Sequence, residues 1–120
     1  MFDRFLPYSR QLIDKEDIEK VSSVLKDDFL TQGPRISLFE KKFANYVGAK
    51  FAVACATGTA ALHLACQALK LKPGDQLLTS PITFVASANC AQFIGADTYF
   101  ADIDLKNYCI SPKSLEKILK

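Results

Sequence analysis

The sequence lacks the features that mark membrane proteins, secreted proteins and nucleic-acid-binding proteins. Its longest apolar stretches, such as residues 51–56, fall far short of the roughly 20 residues that span a membrane. Residues 1–7 contain a charge pair and no apolar core of a signal peptide. The 15 Lys and Arg residues are nearly balanced by 13 Asp and Glu residues, and they form no basic stripe that would neutralise phosphates. We therefore expect a cytoplasmic protein that binds neither a membrane nor a nucleic acid.

Cysteine and histidine are few, and their spacing does not suit a metal. The four cysteines form no CxxC pair, and one histidine accompanies them, whereas a zinc site needs close pairs of ligands. Each cysteine lies among apolar or small residues, which favours buried, reduced thiols over a disulfide framework. We therefore expect no metal centre and no disulfide. The four residues are Cys55, Cys66, Cys90 and Cys109.

The composition that remains is that of a folded domain. The 120 residues are 49% hydrophobic and 23% charged, with five Gly and five Pro. A compact domain of this size buries roughly two-thirds of the surface of its unfolded chain, which is enough for a core. Intrinsic disorder is excluded, because it combines low hydrophobicity with high net charge.

Two amphipathic helices are predicted in the first 48 residues, which we interpret as an N-terminal helical extension. Asp14 is a good N-cap for the first helix, which should end near residues 27–28. Ser37 begins a capping-box pattern for the second helix, and Gly48 suits its end. Between them, residues 29–34 form a loop whose polar tip is free to contact a ligand.

From residue 49 onward, strands alternate with helices. Strands are predicted at 51–55, 76–79 and 98–101, and helices after residue 57, at 84–93 and after Ser111. The order β-α-β-α-β-α predicts an α/β fold with a mainly parallel sheet. In such sheets, ligands bind at the carboxyl ends of the strands.

Two loops at predicted strand ends carry candidate binding residues. Thr57, Gly58 and Thr59 open a helix, so either they bind a phosphate at its N-terminus or Thr57 only caps the helix. The single glycine excludes a GxGxxG dinucleotide fingerprint, and no Gly-Lys-Ser/Thr follows. In the second loop, Phe84 either lies over a flat cofactor ring or, as the local pattern alone favours, belongs to the core.

Three other polar residues have a plain and a functional interpretation. His63 is either catalytic or, as we favour, a partly buried helix residue. Asp102 and Asp104 follow the last predicted strand, where they either bind a cation or a ribose or, as we favour, lie in a solvated turn.

In order and spacing, the motifs of this chain resemble the N-terminal third of the DegT/DnrJ/EryC1/StrS sugar aminotransferases, which are fold-type I pyridoxal-phosphate enzymes. The resemblance implies the N-terminal part of the large domain of a PLP-dependent transferase (aspartate aminotransferase-like), mainly a parallel sheet with flanking helices. Residues 49–120 would form an incomplete PLP-binding domain. The matching segments are LTQGP (30–34), FE (39–40), TGTAALHLA (57–65), GD (74–75), TFVASAN (83–89) and FADID (100–104).

The resemblance also implies roles for single residues. The cofactor is pyridoxal 5'-phosphate, and its site would include Thr57, Gly58, Thr59 and Phe84. The substrate site would include Tyr8, Leu30, Thr31 and Thr83. The family's Schiff-base lysine lies beyond residue 120, so we expect no catalytic residue in this chain. We expect its own lysines, such as Lys70, Lys72 and Lys113, to be solvated.

The segments 7–11, 80–84 and 88–91 are similar to those of family members in pseudaminic acid biosynthesis. This similarity implies a homodimeric enzyme that moves an amine from glutamate to the C4 keto group of a UDP-linked 6-deoxy-N-acetylhexosamine. The 120-residue chain would be inactive alone. The alternative is a non-catalytic module that binds a phosphate or nucleotide, or that pairs with an aminotransferase subunit. A Rossmann-type nucleotide-binding domain ranks below both, because its glycines are missing.

Overall fold

The computed structural model describes residue 5 and residues 7–120. The chain divides into two compact units, Met1–Ala54 and Cys55–Lys120. The division predicted from the sequence, with domains at residues 1–48 and 49–120, remains a prediction. None of the helices in the described part of the chain has the length and apolar character needed to cross a membrane.

Helix α1 (Lys15–Val24) begins where the sequence predicts. Asp14 Oδ1 accepts the Asp17 N–H at 3.0 Å, and Asp17 Oδ2 accepts the Asp14 N–H at 3.2 Å, which is a reciprocal capping box. The helix ends about one turn before its predicted end. There the N–H groups of Lys26 and Asp27 donate to carbonyls three residues earlier, which tightens the chain out of the α-helix.

Helix α2 (Pro34–Val47) begins earlier than predicted. The start at Ser37 is wrong, because Gly33 is the N-cap and Pro34 is the first helical residue. Proline suits this position, since its fixed φ is helical and its missing N–H would have no helical acceptor. The predicted end is confirmed: Gly48 adopts a left-handed φ of 70° and stops the helix.

The strand predicted at residues 51–55 is wrong as a sheet element. No strand in the described residues pairs with this segment. Its burial still alternates as in a strand, since Phe51 and Val53 are exposed while Ala52 and Ala54 are half-buried. An apolar run favours an extended, buried segment, whereas a strand also requires a hydrogen-bonded partner.

The second unit contains a two-stranded sheet and three helices. Strands β1 (Gln76–Thr79) and β2 (Asp97–Phe100) are parallel, and helix α4 (Ala86–Gln92) connects them as the crossover. Helix α3 (Gly58–Ala68) precedes β1, and helix α5 (Pro112–Leu119) follows β2. This order confirms the predicted α/β class with parallel strands. β1 has its predicted bounds, and the ends of β2 and α4 differ from prediction by one or two residues.

The core of the second unit consists of small residues centred on α4. Ala88, Cys90 and Ala91 are buried on this helix, which packs against α3 and both strands. Thr98 lies opposite Leu77 in the sheet register, and its hydroxyl donates to the Ala88 carbonyl at 2.9 Å. This bond ties β2 to the crossover helix. Small side chains allow the helix to approach the sheet closely.

The prediction for the cysteines is half right. All four thiols are free, and Cys66 and Cys90 are buried as expected. Burial, followed by a hydrogen bond with Cys90, raises the pKa of the Cys66 thiol. The prediction is wrong for Cys55 and Cys109, which are exposed. Cys55 ends the segment that lacks a strand partner, and Cys109 lies in a tight turn where its N–H donates to the Asn107 side chain.

An ion pair closes the loop between α1 and α2. Arg35 Nε donates to Asp27 Oδ2 at 2.7 Å, from the first turn of α2 to the residues that follow α1. The hydrogen bond from the Arg35 guanidinium holds the pKa of the Asp27 carboxyl below its usual range. The pair therefore fixes both ends of the loop that carries Leu30 and Thr31.

The ion pair gives a test by pH. The pKa of Asp27 is lower in the folded chain than in the unfolded chain, where it is about 3.8. The ion pair with Arg35 therefore stabilises the fold fully above pH 3.8, and this stabilisation is lost as the pH falls through the folded pKa. In a carbon-detected NMR titration, we expect the Asp27 midpoint to lie below 3.8 and to return toward 3.8 in Arg35→Met. Lys26→Met, which removes a neighbouring cation outside the pair, is the control. An Asp27 midpoint that does not respond to Arg35→Met contradicts the role of this pair.

Candidate functional site

The N-terminus of helix α3 leaves backbone N–H groups free to bind an anion. Thr57 is the N-cap: its Oγ1 accepts the Ala60 N–H at 3.1 Å, and its carbonyl accepts the Ala61 N–H at 3.0 Å. The N–H groups of Gly58 and Thr59 have no acceptor among the described residues. We refer to residues 57–60 as the α3 turn.

The surroundings of the α3 turn suit a phosphate. A Cβ atom placed on Gly58 would meet no heavy atom within 4 Å, so the space above its backbone is open. No acidic residue lies in the first turn of this 11-residue helix, so no carboxylate competes for its positive end. Thr59 is half-buried and carries a hydroxyl at the same end. The residues present therefore fit a phosphate group.

The two interpretations of Thr57 are compatible. Its capping role is confirmed by the bond from Ala60, in which the hydroxyl oxygen is the acceptor. A hydroxyl that accepts one hydrogen bond still has its own proton to donate. Capping therefore does not prevent Thr57 from donating to an anion, although its part in cofactor binding stays a prediction.

The loop between β1 and α4 exposes an aromatic ring. The Phe84 residue is 74% exposed, so the alternative that it belongs to the core is wrong for this chain. The hydroxyl of Thr83 lies 3.0 Å from Ser87 Oγ, and the Phe84 carbonyl accepts the Ser87 N–H at 3.0 Å. These bonds tie the loop to the first turn of α4. The ring thus has a free apolar face, while its backbone is held.

The residues predicted to bind substrate lie in the first unit, Thr83 excepted. Tyr8 is fully exposed, and Leu30 and Thr31 are exposed in the loop that Asp27 and Arg35 close. Beside this loop lies an open depression of about 760 Å³, lined by residues 26–29, which follow α1, and by residues of the first turns of α2. Sequence analysis missed the ion pair, because a separation of eight residues across a loop follows no periodic pattern.

The plain interpretations hold for the remaining polar candidates. His63 is half-buried, with its ring 5.4 Å from that of Phe93 at a tilt of 60°. Asp102 Oδ1 accepts the Ile103 N–H, and Asp104 Oδ1 accepts the N–H two residues on, both at 2.8 Å, so both carboxylates stabilise their own turn. Within the described residues, no group of His, Cys, Asp and Glu is arranged to hold a metal ion.

The lysines that the sequence singles out are solvated as predicted. Lys70, Lys72 and Lys113 are exposed. Lys72 binds Asp75 with both its backbone N–H and its Nζ atom, at 2.9 and 3.2 Å. These hydrogen bonds, the backbone one first, lower the pKa of the Asp75 carboxyl. Lys72 therefore supports the turn that leads into β1.

Curated relatives match nearly all of this chain but only part of their own length. Spore coat polysaccharide biosynthesis protein SpsC of Bacillus subtilis is 48% identical over 114 residues, which are 95% of this chain and 29% of the relative. UDP-4-amino-4-deoxy-L-arabinose–oxoglutarate aminotransferase of Shewanella sediminis is 33% identical over 119 residues, 99% of this chain and 31% of that protein. The chain thus spans less than a third of the length of these relatives.

Solved structures share the fold, and the family model agrees with them. PseC of Helicobacter pylori, an aminotransferase involved in the biosynthesis of pseudoaminic acid, matches with a TM-score of 0.84 and 34% identity over 95% of this chain and 31% of that chain. A Streptococcus pneumoniae protein described as a sugar aminotransferase, solved in a PLP form, matches with a TM-score of 0.83 and 27% identity over 93% and 29%. The family model of the DegT/DnrJ/EryC1/StrS aminotransferases covers residues 11–120. The predicted family and fold are confirmed, and the chain belongs to the DegT/DnrJ/EryC1/StrS aminotransferase family.

Proposed function

We propose that this chain forms the part of a pyridoxal-phosphate-dependent sugar aminotransferase that binds the cofactor phosphate. The proposal rests on the α3 turn, because the N–H groups of Gly58 and Thr59 have no acceptor in the part of the chain that the structure describes, and the space above Gly58 is open. The positive end of the helix dipole favours the doubly charged phosphate. Membership of the family supports this assignment, since its members use pyridoxal phosphate.

The residues of the chain bind and orient the cofactor. Pyridoxal phosphate, when bound, supplies the electron sink for transfer of an amino group. The backbone of Gly58 and Thr59 would donate to the phosphate oxygens, and the hydroxyl of Thr57 would add a third donor. The exposed ring of Phe84 would stack on the pyridine ring and exclude water from that face. The Thr83–Ser87 contact would hold the loop that carries this ring.

We also propose a nucleotide sugar as the substrate. Tyr8, Leu30 and Thr31 would border its pocket, and Asp27 with Arg35 holds the loop that carries two of them. The Shewanella sediminis and Helicobacter pylori relatives favour an amino-sugar product. We propose a UDP-linked 6-deoxy-N-acetylhexosamine that accepts an amine at its C4 keto group, with glutamate as donor, in the pseudaminic acid pathway. The complete enzyme would be a homodimer in the cytoplasm.

The phosphate site is tested by two substitutions at one position. Gly58→Asp places a carboxylate where the phosphate would bind, yet an acid at a helix N-terminus preserves the helix. We expect it to lower the affinity for pyridoxal 5'-phosphate by about tenfold or more, as charge repulsion of about 1.4 kcal/mol would do. Gly58→Ala, whose Cβ has free space, should change the affinity little. The measurement is calorimetric titration of the 120-residue chain.

Pyridoxal without its phosphate is the matched control ligand for this titration. It should bind the wild-type chain more weakly than the phosphate ester, and Gly58→Asp should not affect it. Equal affinity of Gly58→Ala and Gly58→Asp for pyridoxal 5'-phosphate would remove the α3 turn from the cofactor site.

Inactivity of the chain alone is tested by borohydride reduction. Because its lysines are exposed to solvent and none lies in a dry pocket, we expect scattered, substoichiometric cofactor adducts and no amine transfer from glutamate to a keto sugar. A single lysine modified to completion would refute this expectation. Mass spectrometry after reduction with pyridoxal phosphate gives the result.

A chimera separates the enzyme segment from the non-catalytic module. Here the chain replaces the matching N-terminal part of the Helicobacter pylori relative, whose remainder would supply the catalytic lysine. We expect amine transfer by the chimera. A chimera that folds and binds pyridoxal phosphate but transfers no amine would favour the module.

A further inference from the structure

Glu40 makes an unusual contact on helix α2. Its Oε1 accepts the backbone N–H of Ala54 at 2.9 Å, across 14 residues of sequence. No Lys or Arg of the described residues lies within ion-pair distance of this carboxylate. Lys50, which precedes Ala54 by four residues, places its Nζ 5.3 Å from the centroid of the Phe51 ring. Within the described residues, the backbone amide of Ala54 is therefore the partner of the Glu40 carboxylate.

Small, buried or half-buried residues accompany this contact on α2 and on the segment that follows it. Ala44 lies one turn after Glu40, so the two share a helix face, and Ala44 is buried. Gly48 ends the helix in a left-handed conformation and starts the connection that leads to residues 51–54. Ala52 and Ala54 are the half-buried residues of that segment. Small side chains thus allow the segment to lie close to the helix, within reach of the carboxylate.

The segment has few other restraints. Among the described residues, no strand pairs with residues 51–54, and the backbone of this segment makes one hydrogen bond, from Ala54 to Glu40. A carboxylate acceptor makes a stronger hydrogen bond to a backbone N–H than a neutral group does. Glu40 therefore supplies the acceptor that a neighbouring strand would otherwise supply.

We propose that Glu40 is a positioning residue for the α3 turn. Ala54 precedes Thr57 by three residues, so fixing the amide of Ala54 restrains the backbone that runs into the helix N-cap. An ordered α3 turn presents the N–H groups of Gly58 and Thr59 together, and this lowers the entropy lost when an anion binds. The inference rests on the proposed function only for the identity of that anion, pyridoxal phosphate.

Residue-level hydrogen exchange of the full 120-residue chain tests the proposal without a ligand. In Glu40→Ala, we expect the amides of Ala54, Ala60 and Ala61 to exchange about tenfold faster, the factor for loss of one net hydrogen bond. The amides of Ala60 and Ala61 report on the α3 turn because their N–H groups donate to Thr57. Amides of α5 should be unchanged. Glu40→Gln keeps an oxygen acceptor and should restore most of the protection. Glu19→Ala is the matched control, because Glu19 is an exposed helical glutamate whose ion-pair partner among the described residues is Lys15.

Each outcome decides one claim. Unchanged exchange at Ala54, or faster exchange there with unchanged exchange at Ala60 and Ala61, would overturn the positioning role. If Glu40→Ala does not fold, Glu40→Met keeps an apolar side chain of similar length without the acceptor. The exchange rates of the same amides are then measured in that variant. Failure of Glu40→Gln to restore protection would mean that side-chain charge or packing, and not the acceptor, is what matters.

A second measurement separates this inference from the proposed function. We expect Glu40→Ala to weaken binding of pyridoxal 5'-phosphate about tenfold and Glu40→Gln less than threefold, in line with their exchange rates. If the wild-type chain binds no pyridoxal phosphate while the three amides still respond to Glu40→Ala, the cofactor assignment fails and the positioning role stands. If pyridoxal phosphate binds equally to all variants, the positioning role fails and the cofactor assignment stands.

Discussion

The close packing of α4 against the β1–β2 pair is the constraint on which the second unit depends. Parallel strands cannot be joined by a tight turn, so the chain must cross over the sheet between them. The crossover helix buries small residues, Ala88, Cys90 and Ala91 among them, and therefore lies close to the strands. The hydroxyl of Thr98 adds a direct bond from β2 to this helix. With α4 in place, the loop that carries Phe84 starts from a rigid base.

The candidate site uses backbone more than side chains. A helix N-terminus offers N–H groups that no residue of the helix can satisfy. In α3 the side chain of Thr57 accepts one of them, and those of Gly58 and Thr59 have no acceptor within residues 7–120. The absence of an acid in that turn keeps the positive end available. Phe84 adds an exposed ring, with 74% of the residue accessible. These are the groups that we propose bind the phosphate and the flat ring of the cofactor.

Much apolar surface remains exposed in this chain. Phe51 and Val53 are 76% and 80% accessible, and the apolar face of α1 is uncovered, with Ile18, Val21 and Leu25 each more than half exposed. Apolar surface on this scale is typical of an interface. It agrees with a chain that spans less than a third of the length of its curated relatives. Where a loop is exposed, as between α1 and α2, a local contact such as the ion pair of Asp27 and Arg35 restrains it.

Caps and turns were predictable because they depend on neighbouring residues. The capping oxygens of Asp14, Thr57 and Ser111 each accept an N–H three residues ahead, and only Gly48 offers a left-handed conformation without strain at the end of α2. The start of α2 was misjudged, since Pro34 as first helical residue competes with the capping pattern at Ser37. Two local signals disagreed, and the fixed φ of proline prevailed.

By itself, the sequence determined the family, the α/β class and the place of the α3 turn. Motifs, hydrophobic periodicity and helix capping depend on residues that are close together along the chain. Only the tertiary structure decided that residues 51–55 lack a strand partner, that Phe84 is exposed, and that Cys55 is exposed while Cys66 is buried. It also decided the contacts from Arg35 to Asp27 and from Glu40 to Ala54. These features depend on groups that are distant along the chain, and their distance in space is set by packing that no local pattern encodes.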